Sequence, residues 1–213
     1  MIAVIDYGMG NLRSVEKALD RVGAKAKITS NPADIAGCDK LVLPGVGAFG
    51  DAMKELKDLR LVEPIKDAIK RGKPFLGLCL GLQLLFDESE ESPGVRGLSV
   101  LSGLVRKFDL RDKNLKVPHM GWNSIELSAA GRQLSANGKP CAEILDGVPD
   151  GSYMYFVHSY YVEPKDKEIV LTTTEYGPAF ASGVRRENLY GFQFHPEKSQ
   201  ALGVRILENF VKL

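Results

Sequence analysis

Pro74-Phe-Leu-Gly-Leu-Cys-Leu-Gly-Leu-Gln-Leu-Leu-Phe86 is an almost wholly apolar run that carries one sulfur, Cys79, with a glycine two residues to either side. Such a run reads as a buried strand of a parallel sheet. Gly77 and Gly81 interrupt it where a strand over Phe75–Leu78 would give way to a helix beginning at about Leu80. Glycines there let the chain reverse without side-chain clashes around the residue between them. That is the context of a nucleophile elbow, better known with serine at its centre. The sulfur would then stand at the carboxyl end of the sheet, beside a helix N-terminus whose dipole favours negative charge. A buried structural cysteine is the competing reading, because free cysteine behaves as a small hydrophobe. The rest of the chain has to decide between them.

Upstream of the run, strands alternate with helices. Ile2–Asp6 reads as a buried strand, and Asn11 can cap a helix whose stripe is Leu12, Val15, Leu19 and Val22, stopped by Gly23. Ala24–Thr29 and Lys40–Leu43 read as two more strands, and Asp51–Leu59 and Leu61–Arg71 have helical spacing, with Pro64 tolerated near the second helix's start. Alternation of this kind implies a parallel sheet with helices on both faces. Downstream the character changes. Val100–Phe108, Ser124–Leu127, Tyr153–Val162, Ile169–Glu175, Ala181–Arg185 and Tyr190–Phe194 are β-rich and spaced like hairpins, with Arg186-Glu187-Asn188 as one connection. A final helix, Ala201–Leu213, offers Leu202, Ile206, Leu207 and Phe210 for burial. Glu88–Pro93 reads as a polar loop, and Ser128–Pro140 is the least patterned stretch. The expectation is one α/β domain over 1–213: a mainly parallel central sheet, extended by antiparallel strands in the second half.

Composition sets limits. With 213 residues and 44% hydrophobic content, the chain can bury one sizeable core. A net charge of +1 with no block of like charge does not support a nucleic-acid footprint or an anionic-membrane surface. The first residues carry no basic leader, and no segment approaches bilayer-spanning length. Cys38, Cys79 and Cys141 are odd in number and far apart, which argues against a disulfide framework and for a reducing, cytoplasmic setting.

A thiol nucleophile needs a base, and the chain holds three histidines: His119, His158 and His195. His195 lies in Gly191-Phe-Gln-Phe-His-Pro-Glu197, where Pro196 biases it to an extended conformation. In an extended stretch, residues two apart share a side, so Glu197 would lie beside His195 and hold one imidazole nitrogen, leaving the other for the sulfur. An ordinary surface pair or two metal ligands compete with this reading, but no other His/Cys pair has ligand-like spacing, so neither metal nor cofactor is expected. A third element, Leu41-Val-Leu-Pro-Gly-Val-Gly-Ala-Phe-Gly50, runs a strand into a glycine loop that could turn a backbone N–H toward a developing oxyanion. It lacks the Lys-Ser/Thr ending of a phosphate-binding loop.

Together, Pro44-Gly-Val-Gly47, Gly77-Leu-Cys-Leu-Gly-Leu-Gln83 and Gly191-Phe-Gln-Phe-His-Pro-Glu197, in the chain order Cys, His, Glu, resemble the class I (triad-type) glutamine amidotransferases over nearly the whole length. Asp6-Tyr-Gly-Met-Gly-Asn11, Pro118-His-Met-Gly-Trp-Asn123, Tyr155-Phe-Val-His-Ser-Tyr160 and His195-Pro-Glu-Lys-Ser199 look like the branch that serves as glutaminase subunit of imidazole glycerol phosphate synthase in histidine biosynthesis. The resemblance implies a flavodoxin-like domain and a triad of Cys79, His195 and Glu197 acting on L-glutamine. It places oxyanion N–H groups near Val46 and Leu80, and substrate contacts at Gly47, Gln83, Glu91, Ser159 and Tyr160. It further implies a separate (β/α)₈-barrel cyclase subunit as heterodimer partner, receiving ammonia through a tunnel. That partner would be met by Met9, Asn11, Trp122, Tyr155 and Lys198, and Pro44–Gly47 would flip to switch activity on. A glutaminase of another class I amidotransferase and a stand-alone γ-glutamyl hydrolase share the triad. A silent binding module on the same fold is the remaining alternative.

Overall fold

The computed structural model describes residues 1–110, 115–133 and 142–213. Cys141 and most of the unpatterned Ser128–Pro140 stretch lie outside the described residues. The first half runs β1 (Ile2–Ile5), α1 (Leu12–Arg21), β2 (Ala26–Thr29), α2 (Pro32–Gly37), β3 (Lys40–Leu43), α3 (Phe49–Asp58), α4 (Val62–Lys70), β4 (Phe75–Leu78) and α5 (Leu80–Gln83). The second half runs β5 (Glu88–Ser89), β6 (Gly103–Lys107), β7 (His119–Ser124), β8 (Glu126–Leu127), α6 (Ala129–Arg132), β9 (Tyr153–His158), β10 (Tyr160–Pro164), β11 (Val170–Glu175), β12 (Ala179–Arg186), β13 (Leu189–Phe192) and α7 (Gln200–Lys212).

Strands β2, β1, β3, β4 and β13 lie side by side in that order, all parallel. Beyond β13 the sheet turns antiparallel through β12, β10 and β6, with β11 and β8 branching from β12 and β5 at the far edge. This is the expected α/β architecture: a parallel, doubly wound centre with an antiparallel extension. Period-two burial places Ala3, Ile5, Leu41 and Leu43 on one face, with Phe49, Leu56 and Ile65 of the helices α3 and α4. Ile2, Val4 and Val42 face the other way, against Val15 and Leu19 of α1 and Ile206, Leu207 and Phe210 of α7. Among the described residues no helix is long and apolar enough to cross a membrane.

Several local readings change. Asn11 occupies the N-cap position of α1 but its side chain makes no capping bond, whereas Asn31, unremarked in the sequence, caps α2 by accepting the Ala33 N–H at 2.9 Å. The polar segment after Asp87 is not all loop, since Glu88–Ser89 pairs with β6. Tyr153–Val162 is two strands broken at Ser159, and β9 leaves the main sheet to pair with β7 in a second, two-stranded sheet.

Candidate active site

Strands β4 and β13 are neighbours, with Gly77 opposite Gly191 and Leu78 opposite Phe192. The segments that carry Cys79 and His195 therefore leave the same edge of the sheet side by side. Cys79 has φ +53° and ψ −109°, a left-handed conformation that costs a non-glycine residue on the order of 1–3 kcal/mol. Its N–H donates to the Phe192 carbonyl at 2.7 Å, anchoring the bend to β13. The flanking glycines are there for room: a Cβ on Gly77 would meet the Gly81 carbonyl oxygen at 2.8 Å, and one on Gly81 would collide with the Leu43 carbonyl of β3. α5 is a single four-residue turn, so the helix-dipole reading of the sequence weakens. What remains is the Leu80 N–H, which as a first-turn donor has no partner within the helix.

Val46, Gly47, Cys79, Leu80, Gln83, Glu91, Ser159 and Tyr160, the full set of oxyanion and substrate residues implied by the motifs together with the thiol, line one cavity of about 300 Å³. Cys79 is 6% exposed, on the cavity wall rather than sealed beneath it. A larger cavity of about 470 Å³ lies between α4 and the β12–β13 turn, lined by groups such as Lys66 and Arg186, with no cysteine or histidine. Glu91 is not one more charge on a solvated run. Its carboxylate accepts the Phe49 N–H at 2.7 Å, closing the N-terminus of α3, whose N-cap residue Ala48 offers no side-chain acceptor.

His195 Nδ1 lies 2.8 Å from Glu197 Oε1, both side chains buried. The route differs from the extended-strand argument. His195 is extended at φ −104° and ψ 95°, but Glu197 belongs to a 3-10 turn, Pro196–Lys198, that brings its carboxylate back. Burial works against a charged His195, yet the Cys79 thiol and the Glu197 carboxylate outweigh it and push the imidazole pKa up to about 10. Among the described residues, His195 Nε2 has no partner of good hydrogen-bonding geometry, which leaves it available to the sulfur. Ser199 fixes the backbone behind it: its hydroxyl donates to the His195 carbonyl at 2.7 Å and accepts the Tyr155 N–H at 3.0 Å, while the His195 N–H donates to the Tyr155 carbonyl at 2.9 Å.

Three groups here carry no role in the motif reading. Gln193, fully buried, directs Nε2 at Cys79 Sγ over 3.6 Å and accepts from Gln83 Nε2 at 3.1 Å. His119 and His158 form a buried pair, Nδ1 to Nε2 at 3.0 Å. His158 Nδ1 faces the Tyr160 carbonyl at 2.8 Å, so that nitrogen carries the hydrogen; His119 must then donate to His158 Nε2 and accept from Asn123 Nδ2 at 3.2 Å. Burial holds both imidazoles neutral, His158 down to about 3 and His119 to about 4. A period-two signal was present for Gln193, two residues before His195. Nothing in composition pointed to the histidine pair.

On the other side of the β7–β9 sheet, Met120, Trp122 and Tyr153 are 62%, 45% and 61% exposed. Tyr155 lies across from Trp122 with ring centroids 6.0 Å apart, and Lys198 sits 5.6 Å over the Tyr155 ring. Asn11 is exposed and Met9 half-buried against the core, next to Gly47.

Comparison with known proteins places this geometry. The sequence pattern of glutamine amidotransferase class-I matches residues 3–213. The chain is 51% identical to imidazole glycerol phosphate synthase subunit HisH of Syntrophotalea carbinolica, covering 99% of this chain and 98% of that one. It is 52% identical to the subunit of the same name from Aquifex aeolicus, covering 97% and 94%. Among solved structures, a glutamine amidotransferase superposes with a TM-score of 0.73 over the whole of both chains at 17% identity. PurLQS from Thermotoga maritima gives 0.70 over 99% of this chain and 97% of that one at 18% identity. This chain belongs to the class I glutamine amidotransferase family.

Proposed function

We propose that this chain is the glutaminase subunit of an imidazole glycerol phosphate synthase, hydrolysing L-glutamine through Cys79, His195 and Glu197 for a cyclase subunit in the cytoplasm, as one domain over 1–213. The observation that carries the reading is a left-handed Cys79 on the wall of a cavity of about 300 Å³, beside a buried His195–Glu197 pair.

Glutamine enters with its side-chain amide over Cys79. Glu91, bound through one carboxylate oxygen to α3, takes the substrate ammonium, and backbone groups at Ser159 and Tyr160 align the rest with Gly47 and Gln83. The sulfur attacks the amide carbon, and the oxyanion is held by N–H groups of Val46 and Leu80. His195, protonated at rest, gives its proton to the departing nitrogen, so ammonia leaves and a γ-glutamyl thioester remains. The same imidazole then takes a proton from water, which attacks the thioester; glutamate departs and the thiolate returns. Glu197 keeps Nδ1 protonated throughout and Nε2 toward the sulfur.

Free ammonia protonated in bulk water is no nucleophile, so a partner must sit over the site. The exposed Met120, Trp122 and Tyr153 favour that reading over a stand-alone hydrolase. The (β/α)₈-barrel cyclase would rest on this face with Met9, Asn11, Tyr155 and Lys198 at its edge. Gly47, at φ +100°, touches the same region, because a Cβ there would strike the Met9 terminal methyl. A peptide flip in Pro44–Gly47 would thus be felt at the partner surface. The test is glutamate release with and without the barrel subunit and its nucleotide ligand, repeated for Cys79→Ala. Release stimulated by the partner and absent in the variant supports the reading. Persistence in the variant removes the nucleophile, and full activity without any partner favours the stand-alone hydrolase.

A further inference from the structure

We propose that Gln193 holds the nucleophile: its side-chain N–H donates to the Cys79 sulfur in the thiolate form and ties that sulfur to the substrate wall through Gln83. The inference deepens the reading of Cys79 as nucleophile and rests on it.

The argument is one of hydrogen-bond polarity. Amide oxygen and nitrogen are assigned from their partners, and here a backbone carbonyl fixes the assignment. The Tyr160 carbonyl can only accept, so the Gln83 atom 2.9 Å from it is Nε2. The second hydrogen on that nitrogen goes to Gln193, 3.1 Å away, so the Gln193 atom facing it is Oε1. Gln193 therefore turns its NH₂ toward Cys79 Sγ at 3.6 Å. Reversing either amide would leave two acceptors or two donors in contact inside the protein. The relay from the Tyr160 carbonyl to the sulfur thus admits one direction, and it ends on sulfur as a donor.

A donor aimed at sulfur stabilises the thiolate over the thiol, because hydrogen bonds to ionised acceptors are about twice as strong as neutral ones. In the neutral form the S–H has its own acceptor, the Val157 carbonyl at 3.8 Å. Gln193 is fully buried and its backbone N–H donates to the Ser182 carbonyl at 2.9 Å, so the main chain that carries the side chain is fixed. A consequence follows for the substrate. With both Nε2 hydrogens engaged inside the wall, Gln83 presents only its oxygen to the cavity. It can accept from glutamine's N–H groups and cannot donate to its oxygens.

The test is alkylation of Cys79 by iodoacetamide in the full chain, followed by mass spectrometry of the Cys79 peptide, in wild type, Gln193→Met and Gln193→Glu. Gln193→Met keeps the length and removes the donor. Gln193→Glu keeps the acceptor for Gln83 and, ionised, opposes a thiolate. At pH 7 both should alkylate about tenfold or more slowly than wild type. At about pH 10, where an ordinary thiol is ionised, the Gln193→Met rate should converge on wild type, while Gln193→Glu, whose carboxylate still opposes the thiolate, stays slower. Profiles that superimpose on wild type overturn the inference, as does equal slowing of Gln193→Met at both pH values, which would report a displaced sulfur. If only one variant folds, it decides the matter alone. Failure of the premise is distinct: it shows as glutamate release that survives Cys79→Ala, whatever the alkylation rates.

Discussion

Gly81→Ala tests whether the bend at Cys79 is set by backbone packed directly on backbone. A Cβ at Gly81 would fall well inside 3.0 Å of the Leu43 carbonyl oxygen, a distance that Cβ atoms do not adopt. No flexible side chain stands between them to give way. Leu43 lies in β3, whose residues pair with β1 on one side and β4 on the other, so it cannot swing aside alone. The turn and the strand must part by about 1 Å, a gap that already forfeits up to about half of the dispersion attraction across it. Overpacking of this kind costs about 3 kcal/mol, which for a chain of this size lowers Tm by about 6–12 °C. The activity loss should be larger than stability alone explains. Misplacing a reacting group by about 1 Å costs on the order of a hundredfold in turnover, and Cys79 sits two residues from the insertion. The assays are thermal unfolding followed by circular dichroism, and glutamate release with the partner subunit bound. Gly37→Ala is the control, because it closes α2, has open space at its Cβ and should be neutral or stabilising by about 0.5 kcal/mol. A Gly81→Ala protein that melts within about 2 °C of wild type and turns over normally would refute the packing argument.

Other predictions follow from the same geometry. Ser199→Ala leaves the Tyr155 N–H and the His195 carbonyl short of a partner; it should cost about 2 kcal/mol and lower kcat with little change in KM, because Ser199 does not line the cavity. Glu91→Ala should raise KM for glutamine far more than it lowers kcat, and an unchanged KM would remove its substrate role. The stability of the fold should fall as pH drops from about 6.5 toward 4. In that window the unfolded chain protonates His119 and His158 while the native protein, with pKa values of about 4 and 3, does not. The loss between pH 7 and 5 is about 2–4 kcal/mol for the two together. Melting curves of wild type and His119→Asn across that range check it, since the variant should show a shallower slope and equal slopes would refute the assignment.

What could be read in the sequence, and what could not, follows physical lines. The β4–α5 bend was legible because Gly77 and Gly81 have no other use: each faces backbone that leaves no room for a Cβ. His195 and Glu197 were brought together correctly for a reason only half right, since a 3-10 turn rather than an extended strand returns the carboxylate. Strand β7 escaped hydropathy because its pattern is inverted. His119 and Asn123 point into the protein as members of a hydrogen-bonded relay, while Met120 and Trp122 face outward. An inside made of polar groups and an outside made of apolar ones reads as no strand at all. α2 was missed because six residues bury only Ile35, too little to raise a periodic signal. Gln193 stood inside a quoted motif, but its worth depends on the direction of an amide, which no spacing reveals.

The three histidines show why burial alone does not decide charge. All three are almost wholly buried, and desolvation presses each toward the neutral form. The hydrogen-bond partners of His119 and His158 are an amide, a carbonyl and each other, none of which repays the cost of a proton. His195 meets a carboxylate and a thiol, and so stays protonated across the neutral range. Under the proposed reaction both outcomes are needed. The proton on His195 is the one that departing ammonia must take. A charge on His158, which lines the same cavity, would instead confront the substrate's ammonium and weaken its pairing with Glu91. One residue type serves as acid in one wall and as neutral strut in another, and the groups within hydrogen-bonding reach settle which.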